Sequence, residues 1–214
     1  MKIFSLYTQW RCLLASTFFF FIPLSIVLAI HPLQVEPTHE ELLTGKPFIY
    51  HIKPDKRGGE AFKLIYLVKV PIEILWSFKT DFESDFLLTN KFIKEYRFIR
   101  REDNVVITEI EYSNAPNDTF RWRTTLNFSD YLLDFVLENP EKCGQRFHYG
   151  RIQLNSIGKY TKITHVAYFD FLGASLWVNY PWQGGMSEFL DYTARWEQEV
   201  VLRLKDRYQG KITK

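Results

Sequence analysis

Chemistry in this chain has to be sought among scattered groups, and the most conspicuous is Glu197 in "YTARWEQEVV", Tyr192 to Val201. The stretch from about Met186 to Tyr208 reads as a helix. Stepping 100° per residue from Thr193, the residues Met186, Leu190, Val200, Val201, Leu204 and Tyr208 fall within about 80° of it, with Phe189 and Trp196 just to the other side. Glu197 falls at about 40°, near the middle of that apolar stripe, whereas Glu188, Asp191, Arg195, Gln198, Glu199, Lys205 and Asp206 occupy the opposite half. Two readings stay open. A carboxylate there either meets a basic neighbour in a structural ion pair or is one of the few polar groups lining a cavity.

The other chemistry-bearing residues form no signature. His31, His39, His51, His148 and His165 include no H-E-x-x-H or similar metal spacing. His148 and His165 lie on adjacent predicted strands and could meet each other or Glu197 beneath the helix; two hydrogen-bonded sheet histidines are the plainer expectation. Asp81, Glu83 and Asp85 alternate like the start of a calcium loop, but the central Gly is missing and the twelfth position is Phe92. No G-x-S-x-G, P-loop or dinucleotide fingerprint occurs, and "RGGE" and "QGGM" read as turns. The sequons at Asn117 and Asn127 are short enough to arise by chance. Cys12 falls in an apolar segment and Cys143 in the body of the chain, so Cys143 is expected to be a packed, unpaired thiol. No catalytic residue, metal ligand or cofactor is assigned.

Composition narrows the partners. Of 27 Lys and Arg, Lys2 and Arg11 lie in the first 30 residues, leaving 25 against 25 Asp and Glu, so the remainder is neutral and lacks the basic footprint of a nucleic-acid binder. The 37 aromatics (19 Phe, 12 Tyr, 6 Trp) suggest a core or cavity built from rings. Cys12 to Ile30 is a run of 19 residues without a charge, preceded by Lys2 and Arg11 and followed by "VEPTHEE". This is a membrane anchor or signal segment with the N-terminus cytoplasmic and the rest extracytoplasmic. Val27-Leu28-Ala29 would serve as a cleavage site, while the length of the run suits a retained single-pass anchor, which is the expectation here.

These residues need elements to position them. Residues 31–61 form a connector rich in Pro and Gly, with a short helix at Thr38 to Leu43 capped by Thr38 and a strand-like "FIYHI". "FKLIYLVKV" reads as a strand, "PIEILWSFKTDF" as a helix introduced by Pro71, and "SDFLLTN" as a second short helix. About six antiparallel strands follow. Among them "DTFRWRTTLNFS" alternates Phe120, Trp122, Thr124, Leu126 and Phe128 against Arg121, Arg123, Thr125 and Asn127. With the aromatic face inward, Arg121, Arg123 and Arg151 are solvated; with the register reversed, an arginine would reach Glu197. The loop "LWVNYPWQGGM" leads into the final helix. The predicted fold is α+β: a curved antiparallel sheet of about seven strands wrapped around the long C-terminal helix, with two short helices after the first strand. One helix across a strongly curved sheet leaves a cavity.

"VKVPIEILWSFKTDFES", "HYGRIQL" and "GKYTKITHVAYFDF", together with the closing helix, resemble the START-like helix-grip superfamily (SRPBCC), which includes polyketide cyclase/dehydrase-type and lipid-transfer proteins. The resemblance covers about Phe62 to Tyr208 within a domain drawn at 62–210, and implies architecture and a cavity, with no catalytic residue. The expected function is binding or transfer of a hydrophobic ligand (lipid, quinone or polyketide-like) beside a membrane. Trp76, Phe120, Trp122, Phe128, Phe169, Phe189, Thr193, Trp196 and Val200 are expected to line the cavity, with Glu197 as polar anchor. One alternative is a cyclase- or dehydrase-like enzyme in which Glu197 and a histidine act as acid and base; another is a protein-interaction module with a filled core.

Overall fold

The computed structural model describes residues 36–113, 115–171 and 185–212. The predicted anchor at residues 1–30 and most of the loop before the last helix lie outside these. Among the described residues no helix is long and apolar enough to cross a membrane.

The first described element is α1 (His39–Leu43), closed by a capping box: Thr38 Oγ1 accepts from the Glu41 amide, and the Glu41 carboxylate accepts from the Thr38 amide. Then come β1 (Phe48–Ile52), β2 (Glu60–Val68) and α2 (Ile72–Lys79). Pro71, extended in backbone, stands immediately before α2. The "SDFLLTN" segment forms a 3-10 turn, Asp85–Thr89. β3 (Ile93–Glu102), β4 (Val105–Tyr112), β5 (Ala115–Asn127), β6 (Leu132–Leu137), β7 (Gln145–Ile157) and β8 (Tyr160–Phe171) follow, and α3 (Gly185–Ile212) closes the fold.

All eight strands form one antiparallel sheet in the order β1-β2-β8-β7-β6-β5-β4-β3. Seven of them are the strands the sequence predicts. The eighth is β1, whose "FIYHI" was expected in the connector and instead pairs with β2 from Phe48 opposite Ile65 to Ile52 opposite Ala61. Register shifts interrupt β3–β4, β4–β5 and β7–β8. Those in β3–β4 and β7–β8 put one extra residue on a strand and that in β4–β5 puts three on β5; the longer strand bends each time, which curves the sheet.

On β5 the alternation resolves with the aromatic face inward. Phe120, Trp122, Thr124 and Leu126 are buried. Arg121 pairs outside with Glu109 and Glu138, both at 3.3 Å, and Arg123 with Glu138 at 3.5 Å. Arg151 pairs with Asp134 at 2.8 Å. None of the three arginines meets Glu197, which excludes the reversed register. Cys143 is buried beside Phe120, Trp122 and Leu137; burial pushes its thiol up to about 11, so it is a packed, protonated residue.

The apolar stripe of α3 lies in the largest core cluster, where Met186, Leu190, Ala194, Trp196, Val200, Val201 and Tyr208 join Leu64, Tyr66 and Val68 of β2 and Ile72, Leu75 and Phe78 of α2. Two α3 side chains fasten it at points outside that stripe. Gln198 donates to the Leu67 carbonyl at 2.8 Å and to the Gly45 carbonyl at 3.1 Å. Arg207 donates to Ser84 Oγ at 3.3 Å.

Gly150 of β7 is required where it stands. A Cβ there would overlap the Val166 carbonyl and the ring of Phe135, which lies across the missing side chain. Gly210 in α3 has nothing near its absent Cβ among the described residues. The same substitution should therefore act with opposite sign at the two sites. Gly150→Ala should lower the unfolding free energy by about 1–3 kcal/mol through overpacking, whereas Gly210→Ala should raise it by about 0.5–1 kcal/mol through helix propensity, both read from urea denaturation midpoints.

Candidate functional site

Between the concave face of the sheet and α3 lies a cavity of about 300 Å³. Its wall is mostly apolar and rich in rings, among them Phe62, Phe82, Phe86, Phe135, Phe169 and Phe189. The aromatic surface is held in place by mutual packing. Phe62 stacks on Phe169 with centroids 5.9 Å apart, and Phe86 on Trp196 at 6.3 Å. Trp196 spends its indole N–H on Thr89 Oγ1 at 3.0 Å, so it presents its ring rather than a donor.

Two polar groups of the cavity wall meet at Glu197, which is 3% exposed. Its Oε2 is paired with the Lys79 ammonium at the C-terminal end of α2, and its Oε1 accepts the Tyr66 hydroxyl from β2 at 3.0 Å. Both carboxylate oxygens are thus engaged. Burial and the adjacent Glu197 charge hold the Tyr66 phenol well above its ordinary pKa, so it remains a donor. Lys79 sits in the last turn of α2, where the helix dipole favours a cation. The out-of-pattern carboxylate of the closing helix is therefore half of a buried ion pair, and its partner is a lysine that the sequence did not single out.

His148 and His165 both face the cavity. They do not meet Glu197; instead Phe135 lies near both, with ring centroids 6.3 Å from His148 and 5.3 Å from His165. His148 Nδ1 donates to Gln145 Oε1 at 3.1 Å, so one of the two is the satisfied sheet histidine expected. His165 Nε2 has no hydrogen-bond partner among the described residues, and neither does Thr193 Oγ1. Burial pulls both imidazoles down to about 3, helped at His148 by His165 and at His165 by the Lys79 charge.

Of the residues expected to line the cavity, Trp122, Phe169, Phe189, Thr193, Trp196 and Glu197 do so. Four are placed elsewhere. Trp76 turns to the far side of α2, edge-on to Tyr131 and Phe128 at 5.5 and 5.7 Å. Phe128 lies one residue past the end of β5 and is 49% exposed, because the strand's alternation stops at Asn127. Phe120 packs behind the wall, edge-on to Tyr112 at 4.9 Å. Val200 lies where α3 meets the closed core. Sequence reasoning also missed Lys79, Tyr66, Asn90, Thr108 and Thr124, all of which line the cavity. The inward face of β5 carried the signal for Thr124 through its alternation; Lys79 had no local signal, being 118 residues from Glu197. Among the described residues no group of His, Cys, Asp and Glu could hold a metal ion, and the Asp81, Glu83, Asp85 run places Asp81 against Tyr208 instead, at 2.9 Å.

No family model matches the chain, and no curated protein matches it. Solved structures do. A protein from Thermus thermophilus covers 66% of this chain and 96% of its own at 13% identity with a TM-score of 0.55. A START superfamily protein from Mycobacterium smegmatis covers 67% and 98% at 14% identity with a TM-score of 0.52. The STAR-related lipid transfer protein from Xanthomonas axonopodis covers 70% and 94% at 14% identity with a TM-score of 0.51. The chain has the START-like helix-grip fold, and at these identities the likeness concerns the fold alone.

Two outcomes follow from the buried charges. Lys79→Met strands Glu197 without its counter-charge and should cost about 3–5 kcal/mol, while the double variant Lys79→Met with Glu197→Met should recover most of that loss, in equilibrium urea unfolding. The histidines set a pH dependence. Their folded pKa values lie below the unfolded value of about 6.5, so the unfolded chain takes up protons first as pH falls. Stability from this source is complete above about pH 6.5 and is lost between there and about pH 3. The slope should reach about 1.4 kcal/mol per pH unit for each histidine. Urea midpoints at pH 7.5 and 5.0 should diverge, and the His148→Gln, His165→Gln double variant should narrow the gap.

Proposed function

We propose that this protein binds a hydrophobic small molecule in the cavity beneath α3 and holds or transfers it without chemical change. The observation that supports this most directly is the cavity itself, about 300 Å³ lined predominantly by rings and aliphatic groups. Burying an apolar ligand there is worth on the order of 25 cal/mol per Å² removed from water. An open space of this size speaks against an interaction module with a filled core. The acid–base reading lacks a free carboxylate, since one Glu197 oxygen is taken by Lys79 and the other by Tyr66, and neither cavity histidine bonds to it. The STAR-related lipid transfer protein, which shares the fold, carries a lipid-related function in its name.

The second part of the proposal concerns residues 1–30, which we read as a membrane anchor holding the domain on the extracytoplasmic side, next to a reservoir of apolar molecules. What supports it is the uncharged run Cys12 to Ile30 behind Lys2 and Arg11.

Residues 31–214 should bind the neutral fluorophore N-phenyl-1-naphthylamine with enhanced emission, and native mass spectrometry of material from several hosts should show co-purifying apolar molecules. Ala167→Leu, which extends a side chain from the cavity wall, should weaken fluorophore binding at least about tenfold while the urea midpoint moves by the equivalent of less than about 1.5 kcal/mol. A wild-type domain that neither retains an apolar molecule nor enhances the probe would overturn the binding reading.

A further inference from the structure

Within the binding reading just given, on which this inference rests, the wall also specifies which kind of molecule fits. Three observations converge on it.

Among the buried polar atoms of the wall that lack a partner within the described residues are His165 Nε2 on β8 and Thr193 Oγ1 on α3. Folded proteins leave few such groups, because each loses its water without replacement, and one aimed into a cavity is a place where a ligand atom can restore the lost bond. Thr193 stands one turn before Glu197 on the same helical face. His165 stands opposite Leu64 in the β2–β8 register, one inward-facing position along from Tyr66, whose hydroxyl bonds Glu197. These two atoms therefore lie on the part of the wall that also carries Tyr66 and Glu197.

The charges on that part of the wall are already committed. Lys79 and Glu197 neutralise each other. Asp81, which also lines the cavity, accepts Tyr208 at 2.9 Å and lies 3.6 Å from Arg207. His165 is neutral, because burial disfavours the proton that would be needed to match an anion. A carboxylate or an amine entering the cavity would be a buried charge without a counter-charge. A hydroxyl or carbonyl has no such cost. A threonine hydroxyl gives or takes a hydrogen bond, and a neutral imidazole nitrogen does either according to its tautomer.

Volume and wall chemistry supply the third constraint. A cavity of about 300 Å³ has room for a compact two- or three-ring molecule. Phe62, Phe169, Phe135, Phe189 and Trp196 offer ring faces and edges on which a flat molecule stacks.

We propose that the cavity selects a compact, uncharged ring system bearing a hydroxyl or carbonyl oxygen, which hydrogen-bonds to Thr193 Oγ1 and His165 Nε2 while its rings pack against the aromatic wall.

The test compares 1-naphthol, naphthalene and 1-naphthoate, which share a ring system and differ in the polar group. Tryptophan quenching is measured on the full chain in lipid nanodiscs, with empty nanodiscs correcting for partition into lipid. Naphthol should bind about tenfold more tightly than naphthalene, the worth of one good hydrogen bond, and naphthoate more weakly than either. Thr193→Val, which keeps the shape of the side chain, and His165→Leu should each bring naphthol toward the naphthalene value and leave naphthalene within about twofold. Equal binding of naphthol and naphthalene, or tightest binding of naphthoate, overturns this inference while the binding reading stands. Failure of all three, together with failure of N-phenyl-1-naphthylamine, overturns the binding reading itself. The comparison on the unaltered chain decides the question by itself, whether or not either variant folds.

Discussion

A single buried ion pair ties together the three elements on which the cavity depends. Glu197 comes from α3, Lys79 from the end of α2 and Tyr66 from β2, so each of its contacts spans a long stretch of chain and fixes one element against another. A pair of charges removed from water gains little on balance over an apolar substitute, but it tolerates only a narrow range of geometries. Apolar packing alone would let the long helix slide along the sheet by fractions of a turn at modest cost. The carboxylate, bonded on both oxygens, and the Gln198 and Arg207 contacts outside the stripe set the rotation and axial position of α3 and thereby decide which of its residues face open space.

The cavity is the second consequence of that arrangement. The bulges bend the sheet, and Gly150 lets the Phe135 ring lie against neighbouring backbone without pushing the strands apart. With the sheet so curved and α3 held at a fixed height, the side chains that bridge the gap are those of the core at one end, where Val68, Leu75, Val201 and Tyr208 are fully covered. Elsewhere the rings stop short of one another. The space is therefore a result of backbone geometry and helix placement more than of any small side chain.

This division also explains what could be read from the residues in order. The stripe of α3, the inward face of β5, the capped α1 and the helix after Pro71 were all legible, because each depends on spacing within one segment. Seven of the eight strands are legible in this way, and β1 reads as a strand but not as part of the sheet, since a five-residue strand carries no sign of its partner. Lys79 was invisible as the partner of Glu197 for the same reason. Trp76, Phe120, Phe128 and Val200 show the limit from the other side. Periodicity assigns a residue to a face, but a face that runs along a curved sheet or a long helix passes from cavity wall to closed core to open solvent, and only the assembled fold locates those transitions.

The short first strand bears on how the molecule behaves in company. A sheet has two edges, each a row of unpaired amides and carbonyls ready to accept a strand from another copy. Here one edge is β1, only five residues long. The other is β3, in which Lys94, Glu95, Arg97, Arg100, Arg101 and Glu102 make up six of ten residues. A brief edge offers few bonds to a stranger and a charged one repels its like, so both ends of the sheet discourage stacking into larger aggregates. A protein that keeps an oily hollow inside a highly curved sheet can stay dispersed because its adhesive borders have been blunted.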